Sequence, residues 1–373
     1  MTSSTLSRPL TLGYVQLTDS APLLMAKRLG MFERYGLDVQ LLPQPSWSTL
    51  RDRLDAGMLD AAQLLAPMPL ANRLGLTGSQ QPLLTPMILS QNGNALTLSN
   101  ALVSEITQAS GQIALHFPLS AAPLQAVIDE RKRLGKPPIT LACVFHYSCH
   151  RYQLLDWLRQ GGIEVADIRL VIIPPVMMAE SLEAGTIDGF CVGGPYNAKS
   201  VRAEQGQTVV TSFDIWEDKL EKVLGVTRNF HHKNEVAVHA LCAAILDACE
   251  WLREIPNRFE AARYLAREDV LNESLDVIGP SLIGSCLTKA DEKPRHIPHY
   301  NRFSSVFSVN TLNDYQVNTP TRSQALWLLE KMQAYESEDS LNGANIEEVA
   351  KLAFRDDIFA AAVDMRTQLR TSK

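Results

Sequence analysis

The chain has 373 residues, of which 46% are hydrophobic and 20% charged, so extended disorder and collagen-like repeats are excluded. At roughly 100–200 residues per domain, this length predicts two domains or one two-lobed unit. A net charge of −6, from 35 basic and 41 acidic side chains, offers no basic excess for direct nucleic-acid binding. The sequence also lacks a run of about 18 uncharged apolar residues, which is what would predict a membrane-spanning helix.

Strand-like and helix-like segments alternate through the first 230 residues. Strand patterns cover residues 10–16 and 37–42, and helix patterns cover residues 20–35 and 46–56. Short apolar runs that also predict strands lie at residues 113–116, 139–145, 170–173 and 188–192. This order predicts an α/β fold with a mainly parallel sheet that has helices on both faces.

A helical pattern replaces the alternation after about Asn234. The apolar face of the first helix in this part is formed by Leu241, Ile245, Ala248 and Leu252. Further helices are predicted over residues 257–267, 321–335 and 346–369, and irregular surface loops over residues 286–319.

One internal repeat joins two distant segments, residues 46–64 and 174–192. Four residues are identical at a constant offset between the two segments. In the first segment they are Leu54, Ala56, Gly57 and Asp60, and in the second they are Leu182, Ala184, Gly185 and Asp188. In each segment the glycine suits the left-handed residue that ends a helix, and the aspartate leads into a strand. Either this pattern is a common helix-to-strand turn, or the chain holds two α/β lobes of related build.

The sequence contains no recognisable catalytic motif: no G-x-S-x-G elbow, P-loop, H-E-x-x-H or strand-linked G-x-G-x-x-G. Cys143, His146, Cys149 and His150 follow a C-x2-H-x2-C-H spacing that fits no standard zinc pattern. We therefore expect a protein that is not an enzyme and that needs no metal and no cofactor.

The amino terminus and the cysteines bear on the cellular compartment. Residues 1–12 contain one arginine and no apolar core, unlike a secretory signal. The six cysteines include no CxxC pair, and most lie in apolar stretches that suit reduced, buried thiols. Both observations favour a cytoplasmic protein.

Loops that follow predicted strands collect small residues and hydrogen-bond donors. Ser46, after the second strand, suits a helix N-cap, where free backbone N–H groups attract an anion. Trp47 beside it is unusual in a loop, because a large aromatic side chain needs a packing partner. Comparable stretches surround Gln63 and cover residues 90–94, 145–150 and 192–197.

Several segments resemble the nitrate- and bicarbonate-binding proteins of ABC transporters, above all the cytoplasmic branch of NasS-type nitrate/nitrite sensors. They cover residues 12–41, 45–71, 89–99, 172–201, 214–227 and 321–332. The most specific are PPVMMAESLEAGTIDGFCVGGP at residues 174–195 and WEDKLEKVLGV at residues 216–226.

This resemblance implies a two-lobed periplasmic-binding-protein-like (type II) fold, in which each lobe is a mixed, mainly parallel sheet flanked by helices. Lobe one would comprise residues 8–100 plus 214–373, and lobe two residues 101–213, with the ligand cleft and hinge between them. The sensor branch implies a cytoplasmic protein that binds nitrate or nitrite, closes its lobes, and thereby controls an ANTAR-domain antiterminator of nitrate-assimilation genes.

The same resemblance implies the ligand-binding residues. Trp47 matches the family's cleft tryptophan, and Gln63 matches the glutamine of a strand-end loop. Gln91, with Asn92 and Gly93, matches the family's amide-donor turn. The remaining candidates are the cation Lys219 and the cleft positions Cys143, His146 and Gly194.

Some cleft positions depart from the family pattern. Glu217 stands where transport-type relatives carry a lysine, and Gly194 and Tyr196 fall where the sensor has an acidic-Pro-Trp run. These departures leave open an altered anion preference or a lost ligand. The alternatives are the solute-binding component of a nitrate/bicarbonate ABC transporter, a partner-binding protein without a small ligand, and an enzyme like the thiamine pyrimidine-precursor synthase, whose cysteine-rich run is missing here.

Overall fold

The computed structural model describes residues 8–79, 81–111, 115–297, 299–305, 317–336 and 343–371. The chain folds into two compact units. The first unit contains the described residues of segments 1–91, 220–265 and 302–373, and the second unit those of segments 92–219 and 266–301.

The first unit is built on a mixed sheet with the strand order β13-β4-β10-β3-β1-β2. Its strands are β1 (Leu10–Val15), β2 (Val39–Gln44), β3 (Ala61–Leu65), β4 (Leu83–Asn92), β10 (Leu220–Thr227) and β13 (Asn301–Arg302). Strand β1 runs parallel to β2 and β3, whereas β10 is antiparallel to both β3 and β4. Strands β3, β4 and β10 are buried at every residue, which places them at the centre of the core.

The second unit has a five-stranded sheet with the order β7-β6-β8-β5-β9. These strands are β5 (Asn94–Ser99), β6 (Ile139–Cys143), β7 (Ile168–Ile172), β8 (Gly189–Gly193) and β9 (Gly206–Thr211), and a separate ribbon pairs β11 (Ser285–Cys286) with β12 (Arg295–His296). Strand β6 is parallel to β7 and β8, and β5 is antiparallel to β8 and β9. Both sheets are therefore mixed.

Helices flank both sheets. Those of the first unit are α1 (Ala21–Arg28), α2 (Met31–Arg34), α3 (Trp47–Asp55), α4 (Pro67–Arg73), α11 (Arg228–Lys233), α12 (Glu235–Trp251), α13 (Ile255–Leu265), α15 (Arg322–Gln333), α16 (Ile346–Ala353) and α17 (Asp356–Thr371). Those of the second unit are α5 (Asn100–Ser110), α6 (Leu124–Arg133), α7 (Cys149–Gln160), α8 (Met178–Glu183), α9 (Tyr196–Arg202), α10 (Ser212–Trp216) and α14 (Leu275–Leu282). Within the described ranges, no helix has the length and apolarity that crossing a bilayer requires.

The internal repeat corresponds to one corner that is present in each unit. Helix α3 ends before Gly57 (φ +70°) and leads through Asp60 into β3, and α8 ends before Gly185 (φ +65°) and leads through Asp188 into β8. Asp60 Oδ2 accepts a hydrogen bond from the Thr11 backbone N–H at 2.8 Å. Asp188 Oδ2 accepts one from the Thr140 backbone N–H at 2.7 Å.

An arginine completes each corner. Arg8 donates two hydrogen bonds to the Asp60 carboxylate at 2.6 and 2.7 Å, and Arg131 donates two to the Asp188 carboxylate at 2.8 and 3.2 Å. Charge-assisted pairs of this kind hold a strand start firmly in register. The shared corner supports the interpretation that the two units are of related build.

The alternating strands and helices were predicted, but several boundaries differ. The helix predicted over residues 20–35 is two helices, because Gly30 interrupts it with a left-handed backbone (φ +66°). The helix predicted over residues 346–369 is divided into α16 and α17 by extended backbone at Phe354. Strands β4, β5, β9 and β10 were not predicted, and residues 113–114 of the strand predicted over 113–116 lie outside the described residues.

The division into units also differs from the predicted lobes. Residues 92–100, 214–219 and 266–301 were predicted in lobe one, and they belong to the second unit. Pairing explains the first of these differences, since β5 pairs with both β8 and β9 in the second sheet. Helix α14 belongs to this unit through an apolar cluster in which Val277 packs with Ala198 and Val201 of α9.

Candidate functional site

A buried cluster of charged side chains lies inside the first unit. Lys222 on β10 is 0% exposed, and its Nζ lies 2.9 Å from Asp19 Oδ2 and 2.8 Å from Glu221 Oε1. Asp19 and Glu221 are themselves 1% and 0% exposed. Charged groups are almost never buried this completely unless they are paired. The cluster is therefore a candidate functional site.

Two of the predicted ligand residues belong to this cluster. The Gln63 side-chain amide donates to Asp19 Oδ1 at 2.9 Å, and its oxygen accepts from the Val15 backbone N–H at 3.3 Å. The Trp47 ring centroid lies 5.6 Å from Lys222 Nζ, within the range of a cation–π contact. Gln63 therefore orients Asp19, and Trp47 covers the lysine.

Trp47 carries a donor that the protein does not use. The side chain is 0% exposed, and among the described residues no acceptor is hydrogen-bonded to its Nε1. A buried indole N–H usually finds a partner, because leaving it without one costs about 1–3 kcal/mol. The unsatisfied N–H is a position where a bound acceptor would be stabilised.

The cluster forms where the turn after β1, the start of α3 and strand β10 meet. Asp19 lies in the 3-10 turn Thr18–Ser20 that follows β1, and Trp47 is the first residue of α3, after β2. Ser46 caps α3 by accepting from the Thr49 backbone N–H at 3.1 Å, which fixes the start of the helix. Lys222 comes from β10, which pairs with β3 and β4.

The Lys222 ammonium keeps its charge inside the cluster. Burial lowers the pKa of Lys222, but the charges of Asp19 and Glu221 outweigh this effect and raise the pKa above its usual value. Lys222 therefore stays protonated. Lysine has three N–H donors, and two of its contacts are already to carboxylates.

The amide-donor turn lies at the end of β4, and the protein itself uses most of its polar groups. Gln91 is 7% exposed, and its Oε1 lies 3.5 Å from Arg302 Nη1. Asn92 (φ +59°) donates from Nδ2 to the His299 carbonyl at 2.9 Å and to Asp218 Oδ1 at 3.2 Å.

Gly93 cannot be replaced without rearranging this turn. Its φ is +97°, and a Cβ built on it would lie 2.3 Å from Asn301 Oδ1. Gly93 therefore shapes the turn for a steric reason that is independent of any ligand.

The predicted cation Lys219 does not belong to the charged cluster. Its side chain is partly exposed, and its backbone oxygen accepts from the Asn92 N–H at 3.0 Å. Glu217 nearby is exposed and has a left-handed backbone (φ +55°). The buried cation is instead Lys222, which sequence reasoning missed together with Asp19 and Glu221. The available signal was the position of the Glu221-Lys222 pair in the family-like segment 216–226, directly before an apolar run.

The remaining candidates lie in the second unit, at the ends of β6 and β8. Cys143 is fully buried, which raises the pKa of its thiol to about 12 and keeps it protonated. His146 is exposed and packs edge-on against Tyr147 with ring centroids 4.7 Å apart. The Gly194 N–H faces the Gly93 carbonyl at 3.4 Å. This group offers no buried charge, and its role in ligand binding stays a prediction.

The structure thus divides the predicted ligand residues into two groups. Trp47, Gln63 and Gln91 belong to the first unit, and the other six belong to the second unit: Asn92, Gly93, Cys143, His146, Gly194 and Lys219. All six cysteines are free thiols. In the part of the chain that the structure describes, no three His, Cys, Asp or Glu side chains come together as a metal site would require.

Comparisons with known proteins place the chain in a family. The sequence profile of the NMT1-like family matches residues 5–266. The chain is 34% identical to the nitrate import ATP-binding protein NrtC of Synechocystis sp., over 95% of this chain and 49% of that protein. It is 34% identical to the nitrate/nitrite binding protein NrtA of Synechococcus elongatus, over 74% of this chain and 61% of that protein. The chain therefore spans about half to three-fifths of the length of these relatives.

A solved structure shows the fold. The periplasmic nitrate-binding protein NrtA from Synechocystis superposes with a TM-score of 0.84, at 24% identity, over 96% of this chain and 88% of that chain. The fold is accordingly α/β, two-lobed and periplasmic-binding-protein-like, with mixed sheets flanked by helices. The predicted fold class is confirmed.

Proposed function

The chain belongs to the NMT1-like family, and from this premise we propose that it is a solute-binding protein for a small oxyanion, nitrate or nitrite, and not an enzyme. The observation that carries the proposal is the 34% identity with the nitrate/nitrite binding protein NrtA of Synechococcus elongatus. The unsatisfied Trp47 N–H, beside a fully buried lysine, supports it.

The chemistry of the ligand fits a site of this kind. Nitrate is flat, carries one negative charge and has three weak acceptor oxygens. A buried anion is stable only where N–H donors replace its water and a cation offsets its charge. Trp47 supplies a free donor, and Lys222 supplies a buried cation 5.6 Å from the ring.

Calorimetric titration of the purified chain with nitrate, nitrite, bicarbonate and an alkanesulfonate tests the proposal. We expect binding heat with nitrate or nitrite. Trp47→Phe removes the N–H and keeps the ring, so it should weaken binding about tenfold, the value of one hydrogen bond to a charged acceptor. Trp327→Phe, on α15, is the matched control and should leave the affinity unchanged. A flat trace with all four anions refutes the proposal.

The finer proposal is that the chain is a cytoplasmic sensor of the NasS type. In this role it holds an ANTAR-domain antiterminator inactive and releases it when nitrate or nitrite binds. The support is the sensor-like sequence at residues 174–195 and 216–226. The alternative is the solute-binding component of a nitrate/bicarbonate ABC transporter, which the identities with NrtA and NrtC favour.

Co-purification separates these two functions. The chain is expressed together with the ANTAR-domain protein of its own organism, and the complex is isolated with and without nitrate. The sensor should form a stable complex that 1 mM nitrate dissociates. A chain that binds nitrate in the calorimeter and yet forms no complex under either condition is the transport component.

A further inference from the structure

Three arginines of the first unit gather around the start of β4: Arg73, Arg228 and Arg355. Arg73, the last residue of α4, donates from Nε to the Leu83 carbonyl at 2.9 Å. The backbone N–H groups of Arg228 and Arg355 donate to the carbonyls one residue before and two residues after Leu83, at 2.8 and 3.0 Å. All three residues are therefore held beside the same strand start.

Arg73 is a half-buried cation that pairs with no carboxylate of the described residues. Its two hydrogen bonds go to neutral carbonyls, those of Leu83 and, from Nη2 at 3.1 Å, of Leu352. Burial lowers the pKa of Arg73, and the positive charges of Arg228 and Arg355 lower it further. The charges that act on Arg73 are thus positive, whereas a cation removed from water is normally paired with an anion.

The cluster retains hydrogen-bond donors for such an anion. A guanidinium has five N–H groups, and Arg73 uses two of them on the carbonyls. Arg228 is exposed, and its guanidinium has no hydrogen bond or ion pair with another described residue. Only Arg355 has a carboxylate, since its Nε and Nη2 lie 2.7 and 2.5 Å from the Asp357 oxygens. Two of the three guanidinium groups are therefore without a counter-charge.

A buried histidine beside these arginines has an unsatisfied nitrogen. His231 lies three residues after Arg228 on α11, so the two side chains share one face of the helix. His231 is 9% exposed, and its Nε2 has no hydrogen-bond partner within the described ranges. Burial and the charge of Arg355 lower the pKa of His231, so the imidazole is neutral at pH 7. A neutral imidazole that carries its proton on Nε2 is a hydrogen-bond donor.

We infer that these residues form a second anion site, which binds a phosphate group through Arg73 and Arg228, with His231 Nε2 as a further donor. Guanidinium groups match the oxygens of phosphate in a fork geometry. A phosphate ester carries about 1.5–2 negative charges at pH 7, which two unpaired arginines neutralise.

This site is separate from the one proposed for nitrate or nitrite. Arg228 directly follows the last residue of β10, whereas Lys222 lies near the beginning of that strand. Six residues at about 3.4 Å each place the two positions about 20 Å apart along the chain. The inference therefore goes beyond the proposed function and does not depend on it.

Calorimetric titration of the full chain with sodium phosphate at pH 7 tests the inference, with sodium chloride at equal ionic strength as the baseline. We expect saturable binding heat with phosphate and none with chloride. Phosphate should also raise the midpoint of thermal unfolding in a concentration-dependent way. Glycerol 3-phosphate is titrated in parallel to identify the source of the group. Tighter binding of this ester assigns the site to phosphate monoesters, and equal or weaker binding assigns it to inorganic phosphate.

Two arginine variants locate the site. Arg228→Gln changes an exposed side chain that has no described partner, so the fold should be retained and the phosphate affinity should fall at least about tenfold. Arg73→Gln should weaken phosphate binding to a similar degree, with circular dichroism as the check on folding. Arg263→Gln, at an exposed position on α13 of the same unit, is the control and should bind phosphate as the natural protein does. All three variants should keep the affinity for nitrate.

The outcomes separate this inference from the proposed function. No binding heat with phosphate or glycerol 3-phosphate overturns the inference and leaves the proposed function intact, because nitrate is titrated independently. Phosphate affinity that is unchanged in both Arg228→Gln and Arg73→Gln overturns it as well. Loss of the heat of nitrate binding in saturating phosphate would place both anions at the Lys222 cluster, and that result also overturns the inference.

Discussion

The two units share a corner and differ in what they bury behind it. In each unit a helix ends at a left-handed glycine, and an aspartate binds the backbone of the neighbouring strand and an arginine. Three residues beyond the aspartate, the first unit has Gln63 and the second has Cys191. Gln63 supports a buried ionic cluster, whereas Cys191 lies in an apolar core with Leu96 and Leu141.

This difference distinguishes the residues that build the shared corner of the fold from the residues of the buried ionic cluster. The corner needs only a turn, a carboxylate and a strand, and it serves both units equally. The ionic cluster adds nothing that an apolar core would not supply to stability, because the cost of desolvating charges commonly exceeds their attraction. At this one position, a buried ionic cluster in the first unit therefore stands against apolar packing in the second.

The largest effect should follow from removing the cation of the cluster. Lys222→Met removes the ammonium that pairs with buried Asp19 and Glu221, so we expect a loss of about 3–5 kcal/mol in the free energy of unfolding at pH 7. Urea denaturation followed by circular dichroism measures it. Lys219→Met, at a partly exposed position three residues earlier, should cost less than about 0.5 kcal/mol. Equal losses from the two variants would show that the cluster is not tightly buried.

A matched pair of substitutions tests the position at which the units differ. Gln63→Ala removes a donor from Asp19 and an acceptor from the Val15 N–H, so it should cost about 2–4 kcal/mol. Cys191→Ala removes one sulfur from an apolar core and should cost about 1 kcal/mol. The same denaturation experiment compares them, and a larger loss from Cys191→Ala would contradict the contrast between the two cores.

The shared corner should respond alike in both units. Asp60→Asn and Asp188→Asn each replace a charged acceptor of an arginine and a backbone N–H, at an expected cost of about 2 kcal/mol at pH 7. Costs that differ several-fold would mean that the two corners are not equivalent.

The effect of Asp60→Asn should also depend on pH. Burial raises the pKa of Asp60, but hydrogen bonds from Arg8 and Thr11 outweigh it and lower the pKa below its ordinary value. A carboxyl with a lowered pKa stabilises the fold above the unfolded-state value of about 3.9, and this contribution is lost as pH falls through the folded-state pKa. The difference from the natural protein should therefore shrink below about pH 4. Denaturation at pH 3, 5 and 7 measures it.

Much of the fold could be predicted because its determinants are local. The alternation of strands and helices, the long apolar face of α12 and the two glycine-aspartate corners are patterns within a few consecutive residues. Strands β4, β5, β9 and β10 escaped prediction for the opposite reason. Strands β4, β9 and β10 are fully or almost fully buried and show no regular alternation of polar and apolar residues. Strand β5 is short and follows β4 directly at a turn.

The candidate site could be predicted only in part. Trp47 and Gln63 were found by resemblance and lie in the cluster, whereas Lys219 was proposed as the cation and Lys222 is the buried one. The pairing of β10 with β3 and β4 is what places Glu221 and Lys222 inside the protein. The other predicted residues lie in the second unit, where their role stays a prediction.

The sequence by itself determined the fold class and the paired corners, and it singled out the indole and amide of the candidate site. Only the tertiary structure decided that Asp19, Glu221 and Lys222 meet, and that the second unit contains residues 266–301. The physical reason is the sequence separation over which each determinant acts. Helix and strand propensity and turn chemistry act between neighbours along the chain. The meeting of charges depends on which distant strands pair, and here β10 returns antiparallel between β3 and β4.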